Sequence, residues 1–156
     1  MQAGDKVMAV SREGMGHWAE HIQAQTDAKA GKITVEKMDA IFARTQKAGD
    51  EDEERYDKAV KAHADRDGSC KKVPGAPAAL TKQMVQCGKR GQAQEPVLQA
   101  AKDGMGDWTR HLAVMRKSEK GKIHNPQKKW LQTWRAAPPH IKAYKKAAAR
   151  FSAPKC

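Results

Sequence analysis

Apolar residues along this chain recur at alternating steps of three and four, the period of an α-helix that buries one face. Leu98, Ala101, Met105, Trp108, Leu112 and Met115 form an unbroken stripe of this kind, and Met8, Ser11, Met15, Trp18, Ile22 and Gln25 form a weaker one. Val35, Met38, Ile41, Phe42 and Thr45 give a second helix in the first part of the chain, with Trp130, Leu131 and Trp134 its counterpart. Thr34 caps the first of these, while Asn125 caps the second and Pro126 occupies its first position, where no donor is needed. Gly49 is expected to end the earlier helix. Asp50 and Glu53 have capping-box spacing, and the run Asp50-Glu51-Asp52-Glu53-Glu54 suits a helix N-terminus, so a third helix is expected from Asp50. Its counterpart is expected from Pro138-Pro139, carrying Ile141, Tyr144, Ala148 and Phe151. A further helix from about 77 to 87, with Leu80, Met84 and Cys87 on one face, links the two parts. No segment alternates with period two, so the fold class is all-α.

The two parts are copies. Gly14-Met15-Gly16-His17-Trp18-Ala19-Glu20-His21-Ile22 returns as Gly104-Met105-Gly106-Asp107-Trp108-Thr109-Arg110-His111-Leu112, an offset of 90 that holds through Gly31-Lys32-Ile33 and Gly121-Lys122-Ile123. It then becomes 88, where Phe42, Thr45 and Tyr56 meet Trp130, Thr133 and Tyr144. The expected architecture is a duplicated three-helix unit, 1–66 and 94–156, joined by a linker, 67–93, with the extra helix. Units this small bury little alone, so the copies are expected to form one compact bundle with pseudo-twofold symmetry, their first helices packed together. Each glycine inside a helix costs about 1 kcal/mol relative to Ala. A close helix crossing at Gly14/Gly16 and Gly104/Gly106 would offset that cost; a kink there is the alternative.

Packing accounts for most of what the copies share, but not for His21 and His111, each one step before a seam residue. One turn earlier stand His17 and Asp107, and one turn after His111 stands Met115. If the helices cross there, His17, His21, Asp107, His111 and Met115 could bind a transition metal. Imidazole with a nearby thioether favours copper in its reduced state. Haem between His21 and His111 is a related expectation, although no CxxCH attachment motif is present. The competing reading is that these histidines are hydrogen-bonded structural residues. The segment from Thr26 to Lys37 has the Gly and Ile spacing of a calcium loop, but Thr26, Ala28, Ala30 and Lys37 stand where carboxylates are required. A phosphate loop, a nucleophile motif and HExxH are all missing, so a non-enzymatic binding protein is expected.

Charge adds a second candidate. Lys and Arg outnumber Asp and Glu by 30 to 18, for a net charge of +12, which favours anionic partners. The excess is concentrated in Arg116, Lys117, Lys120, Lys122, Lys128, Lys129, Arg135, Lys142, Lys145, Lys146 and Arg150, a stretch whose only acid is Glu119. Such a face, near Trp130, Trp134 and Tyr144, could bind nucleic acid, an anionic membrane or an acidic wall polymer; a lysine-rich solvated surface is the plainer reading, and a protein-interaction scaffold a third. The chain holds no apolar run long enough to span a membrane. Its start, Met1-Gln2-Ala3-Gly4-Asp5, is not a signal-peptide core, which leaves a cytoplasmic protein or one whose leader has been removed. Cys70, Cys87 and Cys156 do not have zinc-site spacing. Cys70 and Cys87 flank a Pro/Gly turn, and a bridge between them would favour a secreted or periplasmic setting.

Overall fold

The computed structural model describes residues 3–65 and 77–151. They form four helices: α1 (Ala3–Lys29), α2 (Val35–Ala64), α3 (Ala78–Glu119) and α4 (Pro126–Arg150). No strand occurs among the described residues, and no helix is long and apolar enough to cross a membrane. The expected Cys70–Cys87 bridge lies outside the described residues, because Cys70 does.

The caps read from the sequence are in place. Thr34 Oγ1 accepts the backbone N–H of Lys37 at 3.2 Å, and Asn125 Oδ1 accepts that of Lys128 at 3.2 Å. Both Gly-Lys-Ile turns close the helix before them in one way. Gly31 (φ +69°) and Gly121 (φ +63°) take the left-handed conformation, and the following N–H reaches back five residues, Lys32 to Asp27 at 2.8 Å and Lys122 to Lys117 at 2.9 Å. This pairs the orphan carbonyls at each helix end, and glycine adopts the required φ without a Cβ clash.

Three expected breaks are absent, so seven expected helices become four. Gly49 does not end a helix; it is buried in the middle of α2, where a Cβ would stand 2.7 Å from Trp108 Cζ2 and 2.8 Å from Leu112 Cδ1. The glycine serves close approach, not termination. The acidic run is likewise interior: Asp50 and Glu53 pair with Arg116 of α3 at 3.3 and 2.8 Å. Pro138 and Pro139 lie inside α4, and Pro96 inside α3, which continues the linking helix into the first helix of the second copy. Each interior proline removes a backbone donor. Tertiary packing carries the helices through: Ala137 and Ile141 flank the proline pair in the core, and Asp5 of α1 accepts from Arg90 and Gln94, both at 2.7 Å, just before Pro96.

Cross-helix contacts fix the topology. His21 meets Thr45, and Arg55 meets Glu13, so α1 and α2 run antiparallel; His111 meets Thr133 and Asp107 meets His140, so α3 and α4 do too. α1 and α3 run parallel, with Trp18 stacked on Trp108 and His21 against His111. The result is an up-down-up-down bundle squeezed along one diagonal. α1 and α3 touch across it, whereas α2 and α4 stand apart at the ends of the other.

Glycine permits the squeeze. A Cβ on Gly104 would lie 2.5 Å from the Met15 sulfur, and one on Gly14 would lie 2.7 Å from that of Met105. Each methionine therefore occupies the side-chain space missing on the facing helix, the close crossing expected from the paired glycines. Gly16 and Gly106 have no such role, for no opposing helix lies against either. Successive layers along the α1–α3 contact hold Met15 and Met105, Trp18 and Trp108, then His21 and His111, all at most 2% exposed.

Candidate functional site

The histidine layer is built from both copies in the same way. Thr45 Oγ1 gives its one proton to the carbonyl of Ile41 at 2.8 Å, with that of Phe42 at 3.2 Å. Its oxygen then accepts from His21 Nδ1 at 2.8 Å. In the second copy Thr133 Oγ1 donates to the carbonyl of Trp130 at 2.9 Å and accepts from His111 Nδ1 at 2.8 Å. A neutral imidazole carries one ring proton, so placing it on Nδ1 leaves Nε2 as a bare lone pair.

Both lone pairs are buried and have no hydrogen-bond partner among the described residues. Burial pushes His21 down to about 3, with the charge of His111 adding to the effect, and pushes His111 down to about 4 by burial alone. Both rings are therefore neutral at pH 7. They meet edge to face, with centroids 5.1 Å apart. Trp18 lies 4.7 Å from His111 and Trp108 lies 5.3 Å from His21, while Phe42 stacks on His21 at 4.0 Å. The indole N–H groups of Trp18 and Trp108 are buried and unpartnered as well. Two acceptors and two donors are thus left over in one aromatic box, in a chain that pairs its other buried side-chain polar atoms among the described residues; such leftovers require a reason.

The other expected ligands are directed elsewhere. His17 Nδ1 donates to Asp52 Oδ2 at 2.6 Å, and Asp52, fully buried, also accepts from Arg55 at 2.7 Å. Asp107, equally buried, accepts from His140 and Arg110. Met115 is half-buried and lines a cavity of about 420 Å³ with Val114 and Trp130. The five-ligand centre is therefore not assembled, and among the described residues no three His, Cys, Asp or Glu side chains form a metal-binding group. The physical reason is that a buried carboxylate needs its own donors, and His17 and His140 are used to supply them. Haem fits no better: His21 and His111 are in ring contact and walled by indoles, which leaves no slot for a macrocycle.

Asp52 and His140 escaped the sequence reading because the acidic run explains itself as a cap and His140 follows two prolines. A signal was present nonetheless. His17 aligns with Asp107 under the offset of 90, and Asp52 aligns with His140 under the offset of 88, so one His–Asp pair occurs in both copies with its members exchanged.

Most of the basic set is exposed on α4 and the turn before it. Arg116 is the exception, being engaged with Asp50 and Glu53. Trp130, Trp134 and Tyr144 point inward: the two indoles stack at 5.0 Å beside His111, and Tyr144 belongs to the core. In comparisons with known protein families, curated proteins and solved structures, nothing matches this chain.

Proposed function

We propose that this is a non-enzymatic binding protein that holds one soft monovalent metal ion, copper in its reduced state, between Nε2 of His21 and Nε2 of His111. The observation that carries this reading is the pair of buried Nε2 lone pairs, both set in the donor-free tautomer and both without a partner. Two neutral imidazoles match an ion content with two ligands, whereas zinc takes four as a rule and calcium takes oxygen. Thr45 and Thr133 play the part that outer-shell acceptors play for metal-bound histidines, fixing tautomer and ring orientation. Because both rings are already deprotonated at neutral pH, the ion displaces no proton from them.

The test is anaerobic titration with Cu(I) against a chelator of known affinity, repeated with Ag(I), together with X-ray absorption on the loaded protein. The expected result is one ion per chain with two nitrogen neighbours and no sulfur. Uptake should vanish in the His21→Gln/His111→Gln variant and persist in His17→Gln, with circular dichroism confirming that both fold. Undiminished binding in the double variant, or none in the parent, overturns the proposal and leaves the two histidines as structural residues held by Thr45 and Thr133.

A further inference from the structure

α4 carries seven Lys and Arg residues and no Asp or Glu. Five of them, Lys128, Arg135, Lys142, Lys146 and Arg150, fall within an arc of about 80° at 3.6 residues per turn and extend for about 33 Å at 1.5 Å per residue. All five are exposed, and none makes an ion pair among the described residues. A surface shaped for solubility alone intersperses the two signs. Here they are segregated, because the acidic run lies on α2, at the far end of the long diagonal and out of contact with α4. Field lines from the stripe therefore leave the protein instead of closing on its own acids.

From this stripe we infer that α4 is a docking face for the phosphate backbone of a duplex nucleic acid, held without reading its bases. The apolar side of α4 is spent on the core through Ala137, Ile141 and Tyr144, so the helix has no wedge to insert into a lipid surface, and durable peripheral membrane binding takes apolar insertion or an anchor besides charge. Its aromatics also face inward, which removes the stacking platform that single strands and exposed bases require. What remains is a row of cations, and a duplex, with one negative charge per about 1.7 Å of axis, rewards such a row by counterion release.

Fluorescence anisotropy with two duplexes of unrelated sequence tests this independently of the metal site. Equal affinity for both is expected, falling by about 500-fold from about 50 to about 200 mM salt, a log–log slope near −4.5 for five phosphate contacts. The Lys142→Gln/Lys146→Gln variant should flatten the slope by about 2, and the His21→Gln/His111→Gln variant should bind like the parent. Absence of binding at low salt, a slope unmoved by the lysine substitutions, or tighter binding to vesicles rich in anionic lipid than to either duplex overturns the inference.

Discussion

Gly49 lies flat against the indole of Trp108, so close that an added Cβ would stand 2.7 Å from Cζ2 and 2.9 Å from Cε2. Trp108 and Leu112 are both fully buried and have nowhere to retreat. Gly49→Ala should gain about 1 kcal/mol in helix propensity and lose about 2–3 kcal/mol to overpacking, a net destabilisation. Gly16→Ala, with open space around the new methyl, should show only the gain, up to about 1 kcal/mol. Urea denaturation of the two variants decides it; equal stabilisation by both would mean that α2 and α3 are not in contact at Gly49.

The exchanged His–Asp pairs allow a cleaner test than deletion. His17→Asp alone sets a carboxylate against buried Asp52, and Asp52→His alone sets two imidazoles together; each should cost about 2 kcal/mol or more, as broken charge pairs with one buried member do. The double exchange recreates the order found at Asp107 and His140 and should return to within about 1 kcal/mol of the parent, a large coupling energy in a double-mutant cycle. Simple additivity of the two losses would deny that the pair acts as a unit.

Acid should weaken this bundle through its core. His21 and His111 titrate at about 3 and about 4 when folded, against about 6.5 for an ordinary histidine. Below about pH 6.5 the unfolded chain therefore binds protons that the folded chain refuses, and stability falls as pH drops toward the folded values. At pH 5 the loss is about 2 kcal/mol for each histidine, and above about pH 8 the two contribute almost no slope. Urea midpoints at about pH 7.5 and about pH 5 should differ far more in the parent than in His21→Gln/His111→Gln. Identical shifts would show that the rings protonate freely in the folded state.

How much of this was legible depended on whether a residue's role was local. The helix stripes, the Thr34 and Asn125 caps and the two Gly-Lys-Ile turns are set by neighbours a few residues away; the caps, the turns and the stripes centred on Trp18 and Trp108 are where the sequence puts them, whereas Val35 and Leu80, expected on buried faces, are 60% and 43% exposed. Gly49, Pro96 and Pro138-Pro139 read locally as breaks, yet contacts with Trp108, Asp5 and the core keep their helices intact, an override of propensity by packing. His21 and His111 stood out because duplication retained them where packing alone had no use for imidazole. Thr45 and Thr133 aligned with each other as seam residues, but only the antiparallel pairing of α1 with α2 and of α3 with α4 brings each onto its histidine. The same pairing takes His17 and Asp107 away from the proposed ion, an outcome that helix periodicity cannot indicate because both lie on the histidine side of their helices.

The threonines separate a metal-tuned histidine layer from a merely packed one. Thr45→Val and Thr133→Val keep the side-chain volume but remove the acceptor for Nδ1–H, leaving a buried donor unpaired at a cost of about 1–3 kcal/mol each. Stability alone would fall in either case. Cu(I) affinity is the discriminating reading: loss of an outer-shell acceptor lowers metal affinity by about 10- to 100-fold, since the ring is freed to rotate and to place its proton on Nε2. Thr45→Ser, which retains the hydroxyl, should recover most of both. If the valine variants unfold more easily yet bind Cu(I) as tightly as the parent, the threonines hold the fold and not the ligand geometry, and the site proposed between His21 and His111 loses its outer shell.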